Sequence, residues 1–231
     1  LQSYSGTGMI DFNIIDIDNT TDVLNNGGFY ERQRLIGLLG EIGLAYKDYL
    51  FLTVNGRNDW SSTLPVANRS FFYPAASLSF AFTDALQLDS EFLSFGKLRA
   101  SWTKTGNDAD PYQLNTLYTL NPLFVSQSVV FPFNGIAGTT LGDVATDPNL
   151  TPEFTRTVEV GAELQFFNRR AFIDVSLYQS LTTNGIASQS YPAVSGFTNF
   201  LTNFGEISNR GIEATLNFSP VDNPGGFRWN V

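Results

Sequence analysis

Three oxygen-bearing side chains crowd into "GNDADPYQL" (106–114): Asn107, Asp108 and Asp110. Hard oxygen ligands at this spacing invite a calcium reading. The segment lacks a complete twelve-residue EF-hand loop and its terminal Glu, and Pro111 sets a bend. The favoured reading is therefore an Asx-rich turn leaving a strand. A second chemistry is ring stacking. Trp60 in "NDWSSTLP" (58–65) could lie on a sugar face, or anchor the chain at a membrane–water interface. Tyr112, Tyr118, Phe124, Phe131 and Phe133 recur through the long segment 106–154 with Asn and Gln between them. Such a long loop suits contact with a ligand or a partner, and a plain packed loop is the alternative.

The residue inventory removes much of catalysis. His and Cys are absent from all 231 residues. Without them there is no Ser-His-Asp triad, no thiol nucleophile, no disulfide frame and no Cys-based zinc site. No carboxylate pair is spaced so as to argue for glycosidase chemistry. The expectation is a non-enzyme with no catalytic residue, no metal and no cofactor. A net charge of −9, with no basic stripe, argues against a nucleic-acid partner.

The elements that must carry these residues are strands. In "TRTVEVGAELQFF" (155–167), Val158, Val160, Ala162, Leu164 and Phe166 alternate with Thr157, Glu159, Gly161, Glu163 and Gln165. The same period of two recurs in 48–59, 76–83, 97–105, 171–178 and 212–218. Nine strands are expected, at 8–17, 32–46, 49–59, 71–83, 95–105, 155–167, 170–182, 204–219 and 226–231. The likeliest short helix is "TDALQLDSEFL" (83–93), and the segment could equally be a turn with one helical coil. The charged fraction is 15%, against about 25% for ordinary soluble domains. No apolar run reaches the ~20 residues of a membrane helix, which says nothing against barrel strands. Leu1 is followed by "QSYSGTGM", without a basic start or an apolar core, so no secretory leader is expected at this end.

Three features separate a lipid-facing sheet from a soluble sandwich. Several strands exceed ten residues, the length a tilted membrane strand needs. Connections alternate between short (47–48, 168–169, 220–226) or intermediate (84–94) and long (60–70, 106–154, 183–203), the pattern of an outer-membrane barrel. Aromatics such as Tyr46, Tyr49, Phe51, Phe166, Phe167, Phe172, Phe218 and Trp229 cluster at the short turns, as an interfacial girdle does. Val158, Val160, Ala162, Leu164, Ala214 and Leu216 are thus expected to face lipid. Arg57, Arg99, Glu159, Glu163, Asp174 and Glu213 are expected to face a watery lumen.

"GRNDWSSTLPVANRSFFYPAASLSFAFTDAL" (56–86) resembles a barrel segment of the SusC/RagA-type TonB-dependent outer-membrane transporters. So do "KLRASWTKTGNDADPYQL" (97–114), "DPNLTPEFTRTVEVGAELQFFNRRAFIDVSLYQSLTTN" (147–184) and "SGFTNFLTNFGEISNRGIEATLNFSP" (195–220). These phrases are collinear and cover most of residues 30–231. The resemblance implies an all-β fold: about nine strands of a 22-strand antiparallel transmembrane barrel that encloses an N-terminal plug. It implies energy-coupled import of large nutrients, typically glycans and in some members peptides, across the outer membrane of a Gram-negative bacterium. It also implies a SusD-like surface lipoprotein as lid, the TonB complex as motor, and outer-membrane lipid or lipopolysaccharide as surroundings.

On this reading residues 1–231 are a partial barrel domain, without plug, TonB box or terminal strands. Nine strands alone would leave open edges in lipid, where unpaired backbone has no water. Trp60, Asn107, Asp108, Asp110, Tyr112, Tyr118 and Phe124 become candidates for contact with substrate or lid. Two other functions stay open at this point: a soluble or surface all-β module for carbohydrate binding or adhesion, and a passive porin.

Overall fold

The computed structural model describes residues 7–9, 20–22, 31–120, 136, 138–222 and 226–229. Seven long strands form one sheet: β1 (Leu35–Tyr46), β2 (Leu50–Ser61), β3 (Ser70–Ala81), β4 (Leu93–Asn107), β6 (Glu153–Phe166), β7 (Ala171–Thr183) and β10 (Glu206–Phe218). Neighbours in the sheet are neighbours in this order, and every pairing is antiparallel. Strands of 12 to 15 residues are two to three times the usual soluble length. The sheet is an open meander, the wall of a barrel that these strands alone do not close.

Seven of the nine expected strands are these seven, with ends moved by at most three residues. The expected strand at 8–17 lies largely outside the described residues, and that at 226–231 is reduced to Arg228–Trp229 among the described residues. Thr7–Met9 pairs there with Thr20–Asp22, and Val221–Asp222 with Arg228–Trp229.

The short turns are built by left-handed residues. Lys47 and Asp48 have φ of 48° and 58°, and Asn168 and Arg169 have 54° and 67°. In each case the turn closes by a backbone bond, Tyr49 N–H to the Tyr46 carbonyl and Arg170 N–H to that of Phe167. Two successive positive φ values match the twist of the flanking strands. Of the two readings of 83–93, the turn with one helical coil is the one found: only Phe82–Ala85 is helical. Gln87 adopts φ 50°, which ends a right-handed helix. Phe82 is also held over Gly96, whose N–H donates to Thr83 Oγ1 at 3.1 Å. Closing the hairpin uses the residues that a longer helix would need.

The long connections carry more order than expected. The segment 183–203, read as loop, contains a hairpin of β8 (Ile186–Ser190) and β9 (Asn199–Asn203), and β9 takes β5 (Val144–Thr146) as a parallel partner. Tyr118–Leu120 pairs with Thr139–Leu141. Phe131 and Phe133 lie outside the described residues.

Side chains on the two faces of the sheet differ as the alternation requires. One face carries Ile36, Leu38, Ile42, Ile212 and Leu216, each about two-thirds exposed (65–73%). The other carries every ion pair of the sheet. The small apolar core lies elsewhere, among the long connections: Leu64, Phe71, Ala109, Leu150 and Leu201, joined by Tyr73, Leu114, Phe154 and Ile186. Pro74 fits β3 because the β3–β4 ladder ends at Ala75–Thr103, an edge-like place where its missing N–H costs nothing.

Candidate functional site

The wet face is organised by one arginine. Arg99 on β4 grips Asp174 on β7 with two parallel bonds, Nη1 to Oδ2 at 2.9 Å and Nη2 to Oδ1 at 2.6 Å. Its Nη2 also donates to Ser176 Oγ at 2.5 Å, and that hydroxyl donates to Glu159 Oε1 at 3.1 Å. Lys97 pairs with Glu163 on the adjoining rung. The intervening β6 residue is Gly161, and a Cβ there would lie 2.7 Å from Arg99 Nε. Only glycine lets the guanidinium pass over β6 to reach β7. Tyr178 covers Gly211 in the same way. Nearer the long connections, Arg57 donates to Asp59 at 2.7 Å, and the Tyr73 hydroxyl donates to the other Asp59 oxygen. Of the expected lumenal charges, Arg57, Arg99, Glu159, Glu163, Asp174 and Glu213 all lie on this face. Glu213 stands opposite Ser176.

At the rim of the long connections, Asp108 is a structural pin. One oxygen, Oδ2, accepts from Gln33 Nε2 and Thr63 Oγ1, both at 2.8 Å, and from Ser61 Oγ. Two distant chain segments, at 33 and 61–63, converge on it. Asn107 donates to Glu153 Oε1 at 2.8 Å, tying the ends of 106–154 together. Gln113 donates to Asp110 at 3.2 Å. A cavity of about 360 Å³ is lined by Asn107, Asp108, Asp110, Gln113, Glu153 and Ser188. Among the described residues no three acidic side chains are grouped to hold a metal ion.

Tyr112 takes φ 63°, and its hydroxyl accepts from the Arg32 N–H at 3.0 Å. Tyr118 is 70% exposed at this rim. Trp60 stands on the other, apolar face, opposite Ile36 on β1. Phe124 lies outside the described residues.

Residues not singled out from sequence knit these loops. Asp147 accepts from Thr202 Oγ1 at 2.9 Å and from the Asn149 N–H at 2.8 Å. The Asn203 side chain accepts from Thr151 N–H and donates to the Thr151 carbonyl, both at 2.7 Å. Asn68 donates to the carbonyls of Asn149 and Leu150. The Asp-Pro-Asn run 147–149 was the available signal for an Asx turn.

All short turns fall on one rim and all long connections on the other, as expected from the strict up-and-down order. The aromatics meet at the short-turn rim: Tyr46 on Tyr49 at 5.7 Å, Tyr49 on Phe80 at 6.1 Å, and Phe92 on Phe166 at 5.2 Å. A long-stranded sheet with an uncovered apolar face, an ion-paired opposite face and an aromatic rim is the wall of a transmembrane β-barrel.

The chain belongs to the TonB dependent receptor-like, beta-barrel family, whose model matches residues 2–231. TonB-dependent receptor P26 of Formosa agariphila is 32% identical over 223 residues, which cover 94% of this chain and 21% of that receptor. TonB-dependent receptor P39 of the same organism is 29% identical over 233 residues, covering 100% and 20%. The chain therefore spans about a fifth of the length of the curated relatives it matches. Among solved structures, the RagAB peptide transporter superposes with TM-score 0.70 at 22% identity, over 83% of this chain and 20% of that one. The siderophore receptor PirA of Pseudomonas aeruginosa does so with TM-score 0.52 at 18% identity, over 86% and 33%. These share the fold. The chain is thus an integral β-barrel component of a Gram-negative outer membrane, and the soluble-module alternative is set aside. Its bare apolar face gives the physical reason, since water does not tolerate so wide an uncovered surface.

Proposed function

We propose that these strands form part of the wall of a TonB-dependent importer that carries large nutrients, glycans or peptides, beneath a SusD-like surface lipoprotein. The carrying observation is the division of labour along the strands. The middle of the sheet is locked by continuous ladders and the Arg99–Asp174–Glu159 cluster. At the opposite rim from the short turns, the connections are tied by short ladders of three to five residues and by side-chain hydrogen bonds around small cavities. A wall that cannot open in lipid leaves motion to a plug, a lid and these loops. The family supports TonB coupling, and the collinear SusC/RagA phrases support the lipoprotein lid. Peptide cargo finds support in the shared fold of the RagAB peptide transporter.

Within this chain the 106–154 segment, with Asn107, Asp108, Asp110, Tyr112, Tyr118 and Phe124, is the part assigned to contact cargo or lid. Trp60, on the lipid-facing side, is assigned to the outer girdle instead. The test is a full-length protein lacking 124–142. It should insert normally but lose uptake or lid association. Uptake and lid binding at wild-type level would remove the assignment from this loop. Uptake that persists in cells without TonB would favour a passive porin.

A further inference from the structure

The chain holds 13 Lys and Arg against 22 Asp and Glu, yet three of its cations share one patch of the lipid-facing side. Lys104 on β4 stands directly opposite Arg156 on β6. Arg210 on β10 lies in the next row, opposite Gln179, which is opposite Val158. Like charges on facing positions repel, and a sheet normally avoids them. No carboxylate relieves them. The four ion pairs among the described residues are all on the other face. Glu206, four residues before Arg210 on the same strand and face, makes no ion pair with them. Lys104 rests 3.7 Å above the Phe154 ring, while Arg156 is exposed.

Depth tells what surrounds them. Phe166 marks the short-turn interface, where it packs on Phe92. A strand tilted by about 40° climbs roughly 2.5 Å per residue, so Arg156, ten positions up, stands about 25 Å higher, the full height of the apolar band. Trp102, opposite Val158, lies just below, as an outer girdle residue does. The cations therefore sit at the headgroups of the outer leaflet. Beneath them runs an open groove of about 640 Å³, with Arg210 and Gln179 at its top and Val158, Val160, Leu177 and Ile212 below. A polar mouth over an apolar floor fits a headgroup with an acyl chain, whereas a free anion has no use for the floor.

We propose that this patch binds a phosphate-bearing lipid of the outer leaflet, with a phosphate held by Lys104, Arg156 and Arg210 and an acyl chain in the groove below. Guanidinium forks suit phosphate oxygens, and the shared anion cancels the repulsion that the bare patch carries. The inference rests on the outer-membrane location alone. It is independent of cargo, lid and TonB, so transport results do not bear on it.

The experiment uses the full-length protein in phosphatidylcholine nanodiscs doped with diphosphoryl lipid A or with its dephosphorylated form, and lipid retained after purification is counted by native mass spectrometry. Wild type should retain the phosphorylated form at least about tenfold over the other, and K104Q/R156Q/R210Q should bring the two level. L177W, which fills the groove and keeps the cations, should lower retention several-fold. Heat-modifiable migration on gels checks assembly. If the triple variant fails to assemble, R156Q and R210Q singly should each lower retention about threefold. The proposal is overturned by a wild type without preference for the phosphorylated form, or by assembled cation variants that retain it undiminished. Complete displacement by millimolar inorganic phosphate, with L177W silent, would show a phosphate site rather than a lipid site and would equally overturn it.

Discussion

An arginine walked up the lipid-facing side of β6 should trace the membrane's depth. At about 2.5 Å of climb per residue from Phe166, Ala162 stands about 10 Å up, Val160 about 15 Å and Val158 about 20 Å in a band about 25 Å tall. Ala162 and Val160 thus bracket the midplane, and the native Arg156 marks the far interface. Val160 and Val158 are about half exposed on the bare face, so neither position offers a protein partner for a new charge. Ala162→Arg and Val160→Arg should each cost about 2–4 kcal/mol, and Val158→Arg about 1 kcal/mol or less. The larger cost shifts the folded-to-unfolded ratio by roughly thirty- to several-hundredfold. Thr157→Arg, on the wet face, should stay within about 0.5 kcal/mol. The assay is urea unfolding of the full-length protein in lipid vesicles, read by tryptophan fluorescence. Equal costs at 158, 160 and 162, or a larger cost at 157 than at 160, would refute both the facing and the depth scale.

Arg99→Leu should destabilise the barrel by about 1–2 kcal/mol, because Asp174 and Glu159 lose their shared cation and partial exposure screens the loss. A double-mutant cycle with Asp174→Asn should return a coupling near 1 kcal/mol, and a null coupling would deny the Arg99 hub. Gly161→Ala should cost more than Gly211→Ala. A Cβ at 161 meets the Val175 carbonyl at 3.0 Å as well as Arg99, whereas the three atoms nearest a Cβ at 211 all belong to the Tyr178 side chain. Tyr178→Ala should therefore relieve Gly211→Ala, while Arg99→Ala should only partly relieve Gly161→Ala, as unfolding midpoints would report. Asn203→Ala should leave the barrel folded but speed limited proteolysis in 145–152 and 184–203, since Asn203 alone ties Thr151 to Asn184.

Period two is a local property, so the seven strands, their two faces and the alternation of short and long connections are all legible from neighbouring residues. The girdle is legible for the same reason: aromatics flank turns that themselves carry turn residues. The sequence leaves 83–93 open between a helix and a turn with one helical coil, because its ending depends on Gly96 and Phe82 meeting across the hairpin, which no helical periodicity reports. The hairpin in 183–203 is missed because its strands are five residues long and one partner, Val144–Thr146, lies about fifty positions away.

By itself the sequence determines that the strands are two-sided, that catalysis by His or Cys is impossible, and which family phrases the chain carries. Who meets whom is decided only in three dimensions. Arg99 and Asp174 are 75 positions apart, and their meeting needs the register of two ladders and a glycine between them. Asp108 becomes a pin rather than a free carboxylate because Gln33, Ser61 and Thr63 arrive from distant parts of the chain. Lys104, Arg156 and Arg210 look like scattered surface charges along the chain. Antiparallel folding sets each a few residues in from the same rim, and the period of two turns all three to the same side. Alternation tells each side chain which face it takes; only the register between strands tells it which neighbours share that face at its own height.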